Sequence, residues 1–345
     1  MATKSADGRK QYNVALVGAA GVVGQEFINV LLERRFPTAS LKLLATSRSA
    51  GKRMMVGEQE LVVEETTHKS FEGADLVFVS ASGAASREYC PMVARMGGVA
   101  IDDSSAWRMD PSVPLVVPEI NADDVGWHKG ILAIPNCSTT PVVMVLWPLH
   151  RVNPVKRITA ATYQSVSGTG RLAVEELNVQ SKAILEGKGV VPHVYPHQIA
   201  FNCLPEIDVF RDDGYTKEEW KMMAETRKIM HDESIAISAT CVRVPVFISH
   251  SVALHVEFTN PMPPEEARAI LSHAPGVTLQ DDPGVSLYPQ PWTAAGSDQV
   301  FVGRIRQDSS HPNGMVFWIV SDNLRKGAAT NAVQIAEELV ARNLV

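Results

Sequence analysis

An apolar run over residues 12–17 breaks into Gly18-Ala19-Ala20-Gly21-Val22-Val23-Gly24. Residues 22–35 then carry helical periodicity through Phe27, Val30 and Leu31, and Pro37 follows. A strand handed to a helix across closely spaced glycines constrains the fold more than any other feature of the chain. Glycines let the backbone turn sharply, and the helix N-terminus they expose suits a pyrophosphate. The G-x-x-G-x-x-G spacing differs from the usual G-x-G-x-x-G, so the strand–helix context carries the reading. A purely structural turn is the competing one.

The alternation continues. Residues 41–46, 74–81, 98–102 and 131–135 read as strands, and 86–96 and 139–150 as helices, the second with Pro141 in its first turn. Strands separated by helices predict an α/β fold with a Rossmann-like, doubly wound parallel sheet. Beyond about residue 155 the pattern changes. Residues 157–166 read as a longer strand and 172–186 as an amphipathic helix. A second helix over 216–231 opens on the capping box Thr216-Lys217-Glu218-Glu219. Residues 235–259 are β-rich, strands follow at 300–306 and 315–321, and 280–298 shows no clear element. This half reads as mixed α/β with antiparallel pairing. A helix over 327–343 closes the chain, and its apolar side needs burial. A length of 345 residues suits about two domains.

Composition excludes several classes. Hydrophobic residues are 45% and charged residues 20%, which rules out wholesale disorder. A net charge of -6 gives no global attraction to nucleic acid or an anionic membrane. The longest strongly apolar run, 142–147, is far short of the ~20 residues of a bilayer span. The N-terminus has no apolar core of a secretory signal. A cytoplasmic protein is expected. The four cysteines, Cys90, Cys137, Cys203 and Cys241, include no C-x-x-C pair and read as free thiols. No metal site is expected, because prolines interleave His193 and His197.

Four groups of residues carry chemistry. Arg48 and Ser49 follow the second strand, where an NAD enzyme usually places a carboxylate; a cation and a hydroxyl suit a 2′-phosphate, hence NADP. Cys137, in Pro135-Asn136-Cys137-Ser138-Thr139-Thr140-Pro141, stands between a buried strand and a helix N-terminus, which favours a nucleophilic thiolate. The other three cysteines read as inert core. His250 is a candidate acid/base and Arg243 a carboxylate clamp. Seven positions separate them, so one regular strand would turn them to opposite faces. Arg108, after Asp102-Asp103-Ser104-Ser105, suits an anion site. Glu218 and Lys221 lie on one helix face and read, alone, as a surface ion pair.

In combination these residues resemble one family, the aspartate-β-semialdehyde dehydrogenases. The resemblance rests on GAAGVVG at 18–24, SRSAGK at 47–52, DDSSAWRMD at 102–110 and PNCSTT at 135–140. It continues through YQSVSGTGR at 163–171, EEWK at 218–221, CVRVPVFISHS at 241–251 and SDNLRKGAA at 321–329. It covers the chain from about residue 12. It implies NADPH-dependent reductive dephosphorylation of L-aspartyl-4-phosphate to L-aspartate-4-semialdehyde through a Cys137 thioester. That step leads toward lysine and diaminopimelate, threonine, methionine and isoleucine. It further implies that His250 is the acid/base and that Gln164 orients the substrate. Arg243 would bind the substrate carboxylate, Glu218 the amino group, and Arg108 and Lys221 the phosphate. Gly18, Ala20, Gly21, Val22, Val23, Arg48, Ser49, Ser167, Gly168 and Asn323 would contact NADP(H).

The resemblance also implies a homodimer, with a tetramer as the larger alternative. The expected domains are 12–135 with 324–345 for the cofactor and 136–323 for catalysis and dimerisation, after a mobile tail over 1–11. Two residues depart from the family pattern. Asp103 stands where asparagine is expected and should weaken phosphate binding unless paired. Thr169 replaces a smaller residue and should shift its loop. The rivals are an N-acetyl-γ-glutamyl-phosphate reductase, a glyceraldehyde-3-phosphate dehydrogenase and a non-enzymatic NADP sensor. Asn136-Cys137-Ser138-Thr139 matches the nucleophile pattern of neither rival enzyme.

Overall fold

The computed structural model describes residues 3–4 and 10–345; most of the tail expected over 1–11 lies outside the described residues. The chain forms two compact units, one holding the residues up to 135 together with 328–345, the other 136–327.

The first unit runs β1 (Thr3–Lys4), β2 (Lys10–Val17), α1 (Val22–Glu33), β3 (Thr38–Ala45), β4 (Arg53–Val56), β5 (Gln59–Glu65), β6 (Leu76–Val79), α2 (Gly83–Arg95), β7 (Val99–Asp102), α3 (Pro118–Asn121) and β8 (Ile131–Ala133). Its sheet has the order β4-β5-β3-β2-β6-β7-β8. The strands from β5 to β8 pair in parallel, while β4 pairs antiparallel with β5 and β1 with β2. Every residue of β6 and β7 is buried, as strands covered on both faces require. The strand order reverses at β2, because β3 lies on one side of it and β6 on the other. Crevices for ligands open at the carboxyl end of such a strand, and Gly18 follows β2 there. The β4–β5 hairpin gave no sequence signal, since its strands are short and mostly exposed.

The second unit runs α4 (Thr139–His150), β9 (Val155–Gln164), α5 (Arg171–Leu185), α6 (Lys217–Met230), β10 (Ala236–Arg243), β11 (His250–Phe258), α7 (Pro264–Leu271), β12 (Val277–Leu279), α8 (Pro291–Ala294), β13 (Val300–Gln307) and β14 (Gly314–Ser321). The sheet order is β10-β9-β11-β14-β13-β12. The expected antiparallel pairing holds for β9–β11, β11–β14 and β13–β14. It fails for β10–β9 and β12–β13, which are parallel. Two helices lie between β9 and β10, and such a crossover brings the chain back in the same direction. Along β9, Ile158, Ala160, Thr162 and Gln164 are buried while Arg157, Thr159 and Tyr163 are exposed, so only one sheet face is covered. Helix α4 is apolar on nearly all sides because it packs against α6, α7 and the sheet together. The capping box of α6 forms as expected: Glu219 N–H donates to Thr216 Oγ1 at 3.3 Å, and Thr216 N–H donates to Glu219 Oε2 at 2.6 Å.

The chain passes through a π-turn over Arg325–Ala329 into α9 (Thr330–Ala341). Val333, Ile335, Ala336 and Leu339 of α9 bury themselves in the first unit's core with Leu16, Phe27 and Phe78. Asn331 Nδ2 donates to Val116 O at 2.8 Å. No helix among the described residues is long and apolar enough to cross a membrane.

Candidate active site

In the first unit, a cleft of about 670 Å³ opens where β2, β3 and β6 end, a size suited to a small-molecule ligand. Gly18, Ala20 and Gly21 form one wall, Thr46 to Ser49 another, and Ser80 to Ser82 with Glu65 and Thr66 the rest. Gly18 has φ +87, and a Cβ there would lie 2.0 Å from Ser80 O. At Gly24 a Cβ would meet Gly18 O at 2.4 Å. The loop therefore closes on itself only with glycine at both positions. Gly21 caps α1 without a side-chain hydrogen bond, which leaves the helix N-terminus open for a phosphate. Val22 begins α1, and Val23 lines a small apolar hollow beside the loop. Arg48 is exposed and Ser49 half-buried at the cleft edge. Glu65, at the end of β5, also lines the cleft; sequence reasoning missed it because the hairpin that carries it was not anticipated.

Asp102, Asp103 and Arg108 follow β7. Asp102 is fully buried and accepts hydroxyl hydrogen bonds from Ser86 at 2.6 Å and Ser104 at 2.8 Å; burial raises its carboxyl to about 6. Asp103 accepts from Ser80 Oγ at 2.9 Å, and Arg108 Nη2 donates to Asp103 O at 2.8 Å. Burial raises the Asp103 carboxyl as well, while Arg108 acts against the shift. The carboxyl that departs from the family pattern is thus hydrogen-bonded to Ser80, with the Arg108 charge acting on it.

In the second unit, Cys137 stands half-buried ahead of α4. Its neighbour Asn136 is bound at every polar atom. Asn136 N–H donates to Glu225 Oε2 at 2.7 Å, Nδ2 to Glu218 Oε1 at 2.8 Å, and Oδ1 accepts from Ser138 N and Oγ at 2.8 and 2.6 Å. The carbonyl of Asn136 accepts from Thr139 N and Thr140 N. The thiol is thereby held on a backbone with little freedom. On the other side, a Cβ at Gly327 would come 2.8 Å from Cys137 Cβ. Gly327 packs against the thiol residue, a contact no spacing rule in the sequence could reveal.

Glu218 is the hub of this cluster. Its Oε1 accepts from Asn136 and, at 3.1 Å, from Gln164 Nε2; its Oε2 accepts from Lys221 Nζ at 3.1 Å. Lys221 also reaches Asp208 at 2.8 Å. Glu218 is 5% exposed, so the surface-ion-pair reading of Glu218 and Lys221 is wrong. Burial opposes the charge, yet Lys221, Asn136 and Gln164 outweigh it and hold the carboxyl below its ordinary value.

The awkward parity of Arg243 and His250 dissolves. Arg243 ends β10 and His250 begins β11, and these two strands flank β9 on opposite edges. Both side chains are buried. Arg243 Nη1 donates to Ser165 O at 2.6 Å, and its guanidinium lies 5.9 Å from the Tyr195 ring centre. Arg243 Nε and His250 Nε2 have no hydrogen-bond partner among the described residues. Gly168 lies against both groups: a Cβ there would be 3.3 Å from Arg243 Nη1 and from His250 Nε2. Ser167 and Asn323 bond to each other at 3.0 and 3.1 Å, and Asn323 Oδ1 accepts from Ser165 Oγ, which lies 3.1 Å from His250 Nδ1. The hydroxyl of Thr169 accepts from Tyr195 Oη at 2.9 Å, which gives the larger residue a partner. The expectation of three packed thiols fails at Cys203, which is exposed in a loop beside Asn202. Cys90 and Cys241 are buried; burial pushes the Cys90 thiol up to about 12 and that of Cys241 higher still.

Comparison with known proteins bears on both units. Residues 13–128 match the family model "Semialdehyde dehydrogenase, NAD binding domain", and residues 146–326 match "Semialdehyde dehydrogenase, dimerisation domain". An aspartate-semialdehyde dehydrogenase of Aquifex aeolicus is 53% identical over 97% of this chain and 99% of its own. The crystal structure of aspartate semialdehyde dehydrogenase II complexed with ASA, from Vibrio cholerae, superposes with a TM-score of 0.94 at 42% identity, covering 96% of this chain and 99% of that one. A Candida albicans aspartate semialdehyde dehydrogenase solved with NADP gives a TM-score of 0.75 at 26% identity, over 97% of this chain and 100% of that one. With both halves matched and a full-length relative above half identity, the chain belongs to the aspartate-semialdehyde dehydrogenase family.

Proposed function

We propose that the protein is an NADP-dependent aspartate-semialdehyde dehydrogenase, reducing L-aspartyl-4-phosphate to L-aspartate-4-semialdehyde with release of phosphate. The observation that carries this reading is the pair of buried nitrogens without a partner among the described residues, Arg243 Nε and His250 Nε2, on two side chains that both lie against Gly168. A buried donor without an acceptor costs about 1–3 kcal/mol, and a ligand that brings acceptors recovers it. A carboxylate for Arg243 and a reacting sulfur or oxygen for His250 meet that need.

NADPH, when bound, supplies the hydride. Gly18, Ala20, Gly21, Val22 and Val23 would hold its pyrophosphate, Arg48 and Ser49 its 2′-phosphate, and Ser167, Gly168 and Asn323 would serve its nicotinamide. The open end of α1, the cleft volume and the exposed Arg48 fit that ligand. Cys137 Sγ attacks the acyl carbon, the bond to phosphate breaks, and the phosphate departs with its electron pair to leave a thioester. After reduction the hemithioacetal oxyanion re-forms its carbonyl and expels the Cys137 thiolate. Arg243 grips the substrate carboxylate, Glu218 the amino group, Gln164 orients the acyl group, and Arg108 and Lys221 hold the phosphate. His250 is the catalytic partner of Cys137. We further propose a homodimer in the cytoplasm, with a tetramer as the larger alternative; the exposed apolar residues of α5 and the uncovered sheet face support self-association.

The test is the reverse reaction: NADP reduction with aspartate semialdehyde and phosphate, run beside N-acetylglutamate semialdehyde. The wild-type protein turns over the first and not the second; the opposite preference rejects the substrate. Cys137→Ala abolishes turnover and keeps NADPH binding, read by fluorescence titration, and surviving turnover rejects the thioester.

A further inference from the structure

We infer that Ser165 and Asn323 are positioning residues that hold His250 in one neutral form, its proton on Nε2, so that His250 acts as a hydrogen-bond donor to the reacting sulfur and oxygen. This rests on the reading of Cys137 and His250 above and specifies where the proton sits within it.

The argument starts from a donor that cannot change roles. The backbone N–H of Ser165 donates to His250 Nδ1 at 3.0 Å. A backbone N–H only donates, so the Nδ1 lone pair is occupied and the neutral ring carries its proton on Nε2. That Nε2 is the atom without a partner among the described residues. Asn323 secures the arrangement from both sides. Its Oδ1 accepts from Ser249 N–H at 2.9 Å and lies 3.1 Å from Ser165 Oγ, which itself lies 3.1 Å from His250 Nδ1. Ser249 has φ +75, a strained conformation for a residue with a side chain. Asn323 thus clamps both the residue before the histidine and the residue bonded to its ring.

A second proton has no place on this ring, because an Nδ1–H would point at the Ser165 N–H. The charged groups acting on the ring are Arg243, which opposes protonation, and Glu218, which favours it. Burial and Arg243 prevail and lower the imidazole to about 3. The chemistry does not ask for an imidazolium. Negative charge moves from sulfur to the departing phosphate, then to the hemithioacetal oxygen and back to sulfur. An Nε2–H can steady the sulfur and the oxygen in turn without giving up its proton. The one proton consumed in the reductive direction ends on phosphate.

The deciding experiment is NMR of the full chain labelled with ¹⁵N-histidine, with His250 assigned by His250→Gln. The expected signal is a neutral Nε2–H ring that does not titrate between about pH 5 and pH 8, the range in which an ordinary histidine does. An Nδ1–H ring, or titration in that window, overturns the inference. Asn323→Ala supplies the second arm. It removes the acceptor shared by Ser249 N–H and Ser165 Oγ, so the clamp that holds the Ser165 N–H on Nδ1 is released. Titration of His250 in that window, with a new acid limb in kcat/KM, is expected; an unchanged ring removes Asn323 from the mechanism. The spectra need no turnover. Failure of the semialdehyde assay with the Nε2–H signal intact therefore rejects the functional reading alone.

Discussion

Arg48 stands exposed at the edge of the first unit's cleft and makes no ion pair among the described residues. A guanidinium in that position can form charge-assisted hydrogen bonds with a 2′-phosphate, each worth about 1.5–3 kcal/mol. Arg48→Glu should weaken NADPH by roughly ten- to hundredfold while changing NADH far less; equal losses in paired titrations would reject the assignment. The places of Arg48 at the cleft edge and of Cys137 ahead of α4 were readable from their neighbours in the chain, because strand ends and helix starts leave local signals. Glu218 was not. Its worth comes from Asn136 and Gln164, 82 and 54 positions away, and spacing on its own helix says nothing of them. Gly327 was hidden for the same reason.

Among the elements, α6 carries the site's hub and depends on its first turn. The Thr216–Glu219 box satisfies two backbone donors, and Glu219 Oε1 also accepts from Cys241 N–H in β10 at 2.9 Å. Thr216→Ala should cost about 1–2 kcal/mol, seen as a lower urea midpoint with an unchanged slope. It should also raise the KM for aspartate semialdehyde, since Glu218 sits in the same turn. A stability loss without a KM change would separate the cap from the site. The box was legible because four adjacent residues define it. The β4–β5 hairpin, α7 and β12 were not, because three to eight residues give too short a window for a period to show. The direction of β10 depended on the crossover that precedes it.

For the whole molecule, self-association is the property its surface most directly bears on. Leu172 and Val179 lie seven positions apart on α5, 63% and 65% exposed. Apolar side chains at that spacing share a helix face and are costly to leave in water. If they form part of the homodimer interface, the double substitution Leu172→Asp and Val179→Asp should yield a monomer of 37.5 kDa in sedimentation. A variant that still sediments as a dimer would move the interface elsewhere.

Gly327 has one more consequence. It is the last residue of the second unit, and Cys137 is that unit's second residue. Their near-contact means that the two ends of a segment almost two hundred residues long meet in space. Such a segment is topologically a closed loop, and a chain with adjacent ends tolerates insertion or circular permutation well. The second unit can be regarded as a cassette whose entry and exit share one doorway, with Cys137 set in the doorway itself.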